Sequence, residues 1–261
     1  MIWVLFLLLA MPLGAWSESG HQVVAQIALN QFSQAEQKKI EAYMGDLVAM
    51  AADPDGYREV SSILSGWHYI DYPWVEQPVT QVIDLASAKD NIVWALREAR
   101  RVLKKDLKEK SRHSEFTRIF KTNLVHLMGD LHQPLHCISR VTTKRPKGDK
   151  GGNLFEVRFE NKKISLHKLW DIGFGSLDHL NRDQVTVLAK IIAQENSPGE
   201  IKGNFEDWSK ESYHYARTQV YQTTEDQEVS KNYIEQGKKL IRKRLAQAGY
   251  RLAKELRELI L

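Results

Sequence analysis

Residues 126–136 read His-Leu-Met-Gly-Asp-Leu-His-Gln-Pro-Leu-His, which places three histidines and one aspartate in a segment otherwise typical of a buried helix. His126 and Asp130 are four residues apart, so on a helix both side chains lie on one face, a turn from each other. An imidazole beside a carboxylate, with no thiol nearby, suits zinc or another divalent transition metal. This pair therefore indicates a metal site.

A second pair, His132 and His136, repeats the spacing within the same stretch. Pro134 lies between its members, and proline lacks a backbone donor and crowds the preceding turn, so we expect the helix to kink or end there. Such a break lets His136 point in a different direction from the first pair. The alternative is a core helix with internally bonded histidines, but four buried polar groups would then need four separate partners.

The spacing recurs once more, at His167 and Asp171. Alternating apolar residues in 154–159 and 163–166, joined by Glu-Asn-Lys, predict a β-hairpin directly before this pair. Two histidine–aspartate pairs at the same spacing strengthen the metal interpretation, because an isolated histidine on an apolar helix is more often a core residue.

The remaining chain is predicted to be helical, which makes the fold class mainly α with one small β-hairpin. A Ser-x-x-Glu capping box at residues 33–36 marks one helix start, and Asn204 is a predicted N-cap. Residues 53–58, with Pro and Gly among carboxylates, predict a turn. Apolar periodicity predicts helices over residues 20–31, 34–44, 84–107, 115–131, 183–194, 205–217 and from about 229 to the end.

The first fifteen residues differ from the rest of the chain. Residues 2–13 form an apolar run too short to span a membrane, and the small residues at 14–15 suit a signal peptidase. We expect a cleaved export signal at residues 1–15, with Trp16 as the mature N-terminus and a periplasmic or secreted protein; an uncleaved anchor is the alternative. No linker divides residues 16–261, so we expect one domain there.

Composition adds two constraints. Cys137 is the single cysteine, so the chain cannot form an internal disulfide, and the fold depends on its core and on any bound metal. The net charge of +4 suits a polyanionic partner. A basic loop follows His136, and its charge is interpreted either as a phosphate-attracting surface near the metal site or as an ordinary solvated loop; its members are Arg140, Lys144, Arg145, Lys147 and Lys150.

Taken together, these motifs resemble the S1/P1 family of zinc-dependent, single-strand-preferring nucleases along nearly the whole mature chain. Three further elements carry the resemblance beside the two histidine–aspartate motifs: Trp16-x4-His21, Trp67-His68-Tyr69-Ile70-Asp71 and Gly151-Gly152-Asn153. A fourth is Pro54-Asp55-x2-Arg58, which the family precedes with Trp where this chain has Asp53. Asp53 is thus an alternative ligand to Asp55, although the Pro-Asp-x-x-Arg frame favours Asp55. The absence of disulfides fits a bacterial-type member.

The resemblance implies a mostly helical fold that holds three Zn²⁺ ions per chain. It assigns Asp55, His68, His126 and Asp130 to one zinc; the Trp16 α-amine and carbonyl, His21 and a bridging Asp130 to a second; and His136, His167 and Asp171 to the third. His132 is expected to donate a hydrogen bond to a ligand carboxylate.

The resemblance also implies an endonuclease that hydrolyses single-stranded DNA and RNA to 5′-phosphorylated products and has 3′-nucleotidase activity. Asp130 and Arg58 are the expected catalytic residues, since a guanidinium can neutralise charge that grows on the phosphate oxygens. Tyr69 would stack a base, to which Asp71 and Asn153 would hydrogen-bond. We expect a monomer with no stable protein partner and no membrane insertion after processing.

Two alternatives remain at this point. A zinc-dependent phospholipase C has a similar site, but it resembles this chain less at Asp171, where it has Glu, and between the N-terminal Trp and the first His. A zinc-binding protein without activity would explain the ligands, but it gives no reason for Arg58 or Tyr69.

Overall fold

The computed structural model of the chain describes residues 16–58, 61–75, 89–109 and 115–261. The expected export signal at residues 1–15 lies outside these ranges. Among the described residues, no helix is both long enough and apolar enough to cross a membrane.

Helices dominate the architecture, which confirms the predicted mainly α class. The α-helices are α1 (Glu18–Leu29), α2 (Gln34–Met44), α3 (Asp53–Arg58), α4 (Ser62–Gly66), α5 (Ile92–Glu109), α6 (Glu115–Asp130), α7 (Leu166–Asp171), α8 (Arg182–Glu195), α9 (Phe205–Tyr215) and α10 (Lys231–Ile260). The strands are β1 (Pro73–Val75), β2 (Ser139–Val141), β3 (Glu156–Phe159) and β4 (Lys162–Ser165). Short 3-10 helices span Ala49–Ala52 and Pro134–Cys137, and a π-helical turn spans Ala216–Val220.

Helix α6 is the central element of the core. Every residue from 121 to 130 is buried, and the helix packs against α1, α5 and α10. A helix that is buried all round cannot present polar groups to water, so its polar side chains must find partners inside the protein. The polar residues at the C-terminal end of α6 are the candidate ligands.

Several helix starts follow the chemistry predicted from the sequence. Ser33 and Glu36 form a capping box that opens α2, and Asn204 caps α9 in the same way with Asp207. Helix α10 extends the predicted amphipathic pattern over thirty residues and packs mainly on α1. These caps fix where the helices begin, which confirms the capping signals.

Helix α6 ends at Asp130, four residues before Pro134, as the proline predicted. Residues 131–133 turn, and the side chain of Gln133 accepts a hydrogen bond from the Leu135 amide at 2.6 Å to start the 3-10 helix. The chain then runs beside residues 70–75: the Ile70 amide donates to the His136 carbonyl at 2.8 Å. The break therefore separates Asp130 from His136 while keeping both next to the segment that follows His68.

Three expectations about the fold were wrong. Residues 53–58 form the short helix α3 rather than a turn, because a proline with acidic residues is favoured in a first helical turn. The helix predicted over 84–107 begins at Ile92 within the described residues, because residues 89–91 form a turn and Asn91 caps the Val93 and Trp94 amides at 3.0 and 3.2 Å; residues 84–88 lie outside the described ranges. A second sheet, the parallel pair of β1 and β2, was not predicted.

The predicted hairpin is confirmed as β3 and β4, paired antiparallel with Val157 opposite Ile164. Its turn has left-handed backbone angles at Glu160 and Asn161 (φ 52° and 63°), the geometry that suits the twist of a tight hairpin. The second strand leads into α7, whose N-cap is Ser165. The hairpin thus delivers His167 and Asp171 to the core beside the segment that follows α6.

Candidate metal centre

The first cluster joins α1 to the C-terminal turn of α6. His21 Nε2 lies 3.4 Å from Asp130 Oδ1, and His126 Nε2 lies 3.2 Å from Asp130 Oδ2. The His21 and His126 rings stack at a centroid distance of 3.7 Å. Gly129 allows this approach, because a Cβ atom at that position would lie 2.7 Å from His21 Nδ1. All three side chains have ligand atoms within 4.8 Å of one another, a spacing that suits one shared metal ion.

The second cluster consists of Asp55, His68 and His126. Helix α3 places Asp55 Oδ1 3.7 Å from His126 Nε2, and the segment after α4 places His68 Nδ1 3.1 Å from the same nitrogen. His68 Nδ1 also lies 2.9 Å from Asp130 Oδ2. The first two clusters therefore share His126 and both adjoin Asp130.

The third cluster consists of His136, His167 and Asp171, all buried. His167 Nε2 lies 3.6 Å from Asp171 Oδ2. The His136 and His167 rings stack at a centroid distance of 4.9 Å. His136 Nδ1 is also 3.8 Å from Asp130 Oδ1, so this cluster adjoins the other two. The structure thus brings together eight side chains that the sequence singled out.

Backbone carbonyls orient three of the histidines. His126 Nδ1 lies 2.8 Å from the Ala51 carbonyl, His136 Nδ1 2.7 Å from the His68 carbonyl, and His167 Nδ1 2.7 Å from the Gly151 carbonyl. A carbonyl can only accept, so each Nδ1 donates this hydrogen bond, and Nε2 is the ring nitrogen that can serve as a metal ligand. Gly151 has φ 60°, and a Cβ there would lie 2.2 Å from the Leu135 carbonyl, which explains the glycine.

These supporting contacts were not predicted from the sequence. Ala51 precedes α3 and offers only its main chain, so no side-chain pattern marks it. Gln133 lies in the histidine-rich stretch, and its Nε2 donates to Asp171 Oδ1 at 2.7 Å. The position of a glutamine directly before the helix-breaking proline was the available signal.

Several buried polar atoms in these clusters lack a hydrogen bond. Among the described residues, neither ring nitrogen of His21 has a hydrogen-bond partner, and neither Asp130 Oδ1 nor Asp171 Oδ2 accepts a hydrogen bond. Leaving a buried polar group unsatisfied typically costs about 1–3 kcal/mol, so such atoms are rare in the absence of a ligand. Imidazole and carboxylate donors are the ligands that zinc takes at catalytic sites. The residues present therefore fit bound metal ions.

The charge distribution also fits cations. Burial alone would raise the pKa of Asp130, but the charges of His126 and His136 outweigh it and hold the pKa well below its usual range. Burial, with the charge of His126, lowers the pKa of His21 to about 3, so its imidazole is neutral. Burial raises the pKa of Asp171 well above its usual range. Burial would lower the pKa of His126, but the charges of Asp130 and Asp55 outweigh it and raise the pKa to about 9. A dication binds neutral imidazoles and carboxylates, so His126 and Asp171 would release their protons when a metal binds.

Trp16 packs beneath this centre. Its side chain is fully buried, and its indole Nε1 donates to the Gly129 carbonyl at 3.0 Å. The next amide, at Ser17, donates to the Asp171 carbonyl at 3.0 Å. The main chain at residues 16–17 is thereby held between the first and third clusters, while the role of the Trp16 α-amine as a ligand stays a prediction.

Asp53 and Asp55, the two alternative ligands, have different surroundings in the structure. Asp55 belongs to the second cluster, whereas Asp53 Oδ2 lies 3.6 Å from the exposed Arg118. The structure therefore favours Asp55 as the candidate ligand. Arg58 ends α3, and its side chain lies outside the described part of the chain.

The expected base-binding residues lie beyond His68 and around the glycine pair. The Tyr69 side chain is 39% exposed. Burial and the neighbouring Asp149 raise the pKa of Asp71 to about 7. Asn153 Nδ2 donates to the Lys150 carbonyl at 2.8 Å, and its Oδ1 accepts no hydrogen bond from any described residue.

A cleft adjoins the second cluster at Asp55. Its volume is about 670 Å³, within the usual range for a small-molecule site, and Trp16, Asp55 and Lys168 line it. One cation of the basic loop is neutralised within the protein, because Arg145 pairs with Glu225.

The expectation for His132 was wrong. Its Nδ1 lies 2.7 Å from the Met128 carbonyl, and its Nε2 accepts a hydrogen bond from Arg251 at 2.8 Å. Neither nitrogen reaches a candidate ligand carboxylate. His132 instead joins the end of α6 to α10, on the side away from the clusters.

The comparison with known families decides what this arrangement is. The family model described as S1/P1 Nuclease matches residues 16–260. The chain belongs to the S1/P1 nuclease family. The match begins at Trp16 and includes every candidate ligand, so this family fold accounts for the whole described region.

Individual relatives carry nuclease names as well. Endonuclease 2 of Arabidopsis thaliana is 26% identical over 281 aligned residues, which cover 98% of this chain and 94% of that protein. Nuclease S1 of Aspergillus oryzae is 28% identical over 166 residues, which cover 60% of this chain and 53% of that protein. Membership of this family makes the chain a nuclease, a hydrolase that acts on phosphodiester bonds.

Proposed function

We propose that this nuclease is a zinc-dependent endonuclease that hydrolyses single-stranded DNA and RNA to 5′-phosphorylated products, with 3′-nucleotidase activity. One observation carries the proposal: three adjoining clusters of buried histidines and aspartates meet at Asp130 beside an open cleft. Three zinc ions per chain would match the three clusters. Export to the periplasm or medium and a monomeric state are further parts of the proposal.

The proposed ligands are the residues of the three clusters together with Trp16, with His126 assigned to one zinc and Asp130 shared by two. Asp55, His68, His126 and Asp130 would hold one zinc; His21, Asp130 and the Trp16 α-amine and carbonyl a second; and His136, His167 and Asp171 the third. Bound zinc supplies a Lewis acid that polarises a phosphate oxygen and makes water acidic enough to act as a nucleophile near neutral pH.

The protein's own residues would orient and hold the reacting groups. The carbonyls of Ala51, His68 and Gly151 fix three imidazoles, so the ligand atoms need little rearrangement when substrate binds. Asp130 contributes a fully buried negative charge between the clusters. We assign to Arg58 the neutralisation of charge that grows on the phosphate oxygens, on the basis of its place in the Pro-Asp-x-x-Arg motif.

The residues expected to bind a base support the proposed preference for single strands. The exposed ring of Tyr69 offers a stacking surface, and Asp71, which is protonated below about pH 7, can donate a hydrogen bond that a carboxylate cannot. Asn153 Oδ1 is left to accept one. A base in a duplex is already stacked and paired, so only an unpaired base can use these groups without an energetic penalty.

Cleavage assays test the proposal directly. Single-stranded oligonucleotide, the same sequence as a duplex, and phosphatidylcholine vesicles would be incubated with the mature protein before chelation, after chelation and after zinc is restored. We expect cleavage of the single strand that chelation abolishes and zinc restores, with slower cleavage of the duplex and none of the lipid. Cleavage of phosphatidylcholine without cleavage of nucleic acid would instead identify a phospholipase, and cleavage that survives full removal of metal would refute zinc dependence.

A further inference from the structure

A second cluster of aromatic and basic side chains lies on the parallel sheet, outside the candidate metal centre. Trp74 in β1 is the register partner of Arg140 in β2. Tyr213, Arg217 and Tyr221 reach the same place from α9 and the π-helical turn. We call this group of five residues the Trp74 platform.

Two guanidinium groups lie on the platform's indole ring. The Arg140 guanidinium carbon is 5.5 Å from the Trp74 ring centre, and that of Arg217 is 5.8 Å from it. Arg217 is also 5.5 Å from the Tyr213 ring, and the Tyr221 ring meets Trp74 edge-on at 5.3 Å. The side chains form a continuous surface of rings and planar cations, with Trp74 and Tyr213 half-buried and Arg217 exposed.

Arg217 has an unusual electrostatic position. Among the described residues, its guanidinium makes neither an ion pair nor a hydrogen bond. Other surface arginines do: Arg242 pairs with Glu195 at 2.7 Å, and Arg182 with Asp46 at 3.2 Å. A planar guanidinium that lies against aromatic rings and has no carboxylate partner among the described residues can bind a phosphate with two parallel hydrogen bonds.

The platform is continuous with the candidate centre. The chain runs from His68 and Tyr69 directly into β1, and the Ile70 and Ser139 amides bond it to the segment that follows His136. Four residues separate Tyr69 from Trp74, and the chain turns within them, because the Tyr72 amide donates to the Ile70 carbonyl at 2.9 Å; the two residues therefore lie less than about 16 Å apart. Across the sheet, Tyr221 donates to Asp149 Oδ2 at 2.7 Å, and Asp149 lies beside Asp71.

From this arrangement we infer that the Trp74 platform is a second subsite for single-stranded nucleic acid, in which Trp74 stacks a base and Arg217 binds a phosphate of the strand whose scissile bond lies at the metal centre. Rings interleaved with guanidinium groups are the usual surface for unpaired strands, because every base has a face to stack. The inference rests on the proposed nuclease function and adds to it a preference for polymers over dinucleotides.

Two substitutions on the platform and one control test this. Trp74→Ala and Arg217→Gln would be compared with Arg242→Gln, which removes a surface arginine that already has a carboxylate partner. The substrates are a 20-nucleotide oligothymidylate and the dinucleotide dTpdT, which is too short to reach both sites. Stacking one base on an aromatic ring is worth a factor of about 5 to 150 in affinity.

We expect Trp74→Ala to raise KM for the 20-mer about 10-fold. The kcat for the 20-mer, and both kcat and KM for dTpdT, should stay within about twofold of the values for the unaltered protein. Trp74→Phe keeps a ring and should restore most of the affinity. For Arg217→Gln, the slope of log KM for the 20-mer against log salt should fall by about 0.7, the value for one phosphate contact on a single strand. Arg242→Gln should change neither KM for the 20-mer nor the slope of log KM against log salt.

Three results would overturn the inference. Unchanged KM for the 20-mer in both platform variants would show that the rings only pack. Equal changes for the 20-mer and the dinucleotide would show a general disturbance of the centre. If the unaltered protein cleaves neither substrate, the proposed function fails and this subsite fails with it, whereas normal cleavage with unchanged variants refutes the subsite alone.

Discussion

The two sides of the segment from Asp130 to His136 differ in whether their buried polar groups have hydrogen-bond partners. On the side facing α1 and α7, buried atoms such as Asp130 Oδ1 and both His21 nitrogens have no hydrogen-bond partner among the described residues. On the side facing α9 and α10, both nitrogens of His132 are bonded, to the Met128 carbonyl and to Arg251. Both sides are buried and both contain histidine, so burial and residue type do not explain the difference.

On the side around His132, the protein itself supplies the hydrogen-bond partners. The helix end at Asp130 leaves main-chain carbonyls without helical partners, and two side chains satisfy them: Ser212 donates to the Leu131 carbonyl at 2.5 Å and Arg244 to the His132 carbonyl at 3.0 Å. Glu211 then neutralises the arginines, at 3.1 Å from Arg244 and 2.6 Å from Arg251. We call this group the anchoring network.

The contrast separates two uses of the same motif. A buried polar group needs a partner, and the partner comes either from the protein or from a ligand. The anchoring network supplies its own, so it holds the helix break in place, while the clusters leave ligand atoms for metal ions. The following substitutions test this division of roles, from the largest expected effect to the smallest.

Asp130→Asn should have the largest effect, since Asp130 adjoins all three clusters. An amide keeps the shape but loses the negative charge between closely spaced cations. We expect more metal to be lost than with a ligand of one cluster such as His167, and a fall in kcat greater than the ~100- to 1000-fold that removal of one transition-state donor costs. Elemental analysis and kinetics would measure both.

Asp53→Asn is the matched control, because Asp53 is a neighbouring carboxylate outside the clusters. It should keep its metal and its activity. Full metal content in Asp130→Asn, or metal loss in Asp53→Asn, would contradict the assignment.

Arg58→Ala should lower kcat by about 100-fold while the metal content stays unchanged, the scale expected for one donor to the transition state. Arg118→Ala, an exposed arginine beside Asp53, is the control and should leave kcat unchanged. Together the variants distinguish a residue that acts on the substrate from residues that bind metal. A normal kcat in Arg58→Ala would remove Arg58 from the catalytic set.

A protein that retains Ala15 before Trp16 should bind about one zinc fewer and lose at least ~10-fold in activity, the effect of disturbing one metal site. A terminal α-amine can chelate a metal together with its own carbonyl, whereas an amide nitrogen cannot do so. The buried indole should keep both forms equally folded, which circular dichroism would check. Equal zinc content and equal rates in the two forms would show that the amine is not a ligand.

Glu211→Gln should affect the free energy of unfolding rather than the metal content. Burial would raise the pKa of Glu211, but Arg244 and Arg251 outweigh it and lower the pKa below its usual 4.5. The carboxylate therefore stabilises the fold above the unfolded pKa, and this contribution disappears as the pH falls through the folded pKa.

We expect Glu211→Gln to lose about 1.5–3 kcal/mol at pH 7, the range for hydrogen bonds to charged groups, and less at pH 3.5. Urea unfolding at the two pH values measures this, with the exposed Glu195→Gln as the control. A loss of equal size at both pH values would contradict the electrostatic origin, and a loss of zinc at pH 7 would place Glu211 with the metal centre instead.

The features that were predictable from the sequence are local in the chain. The Ser33 capping box, the helix break at Pro134 and the pairing of His126 with Asp130 depend on residues within a few positions of each other. The short helix α3 was missed because proline beside acidic residues is compatible with a turn as well as with a first helical turn.

The features that were not predictable depend on long-range contacts. The pairing of β1 with β2 joins Pro73 to Ser139, and no local periodicity marks such a contact. His132 looked like the other histidines because its spacing is the same, but its partner Arg251 lies 119 residues away. The residues of a site can thus be chosen from spacing, whereas the direction in which each one points follows from packing.

The central claim is that the histidines and aspartates of the three clusters are metal ligands. Elemental analysis of the mature protein, beginning at Trp16 and dialysed against buffer without added metal, tests it most directly. The account predicts three zinc ions per chain, reduced to two when His167 is replaced by Ala, because His167 belongs to one cluster alone. A mature, folded and active protein that retains less than one metal ion per chain would contradict it.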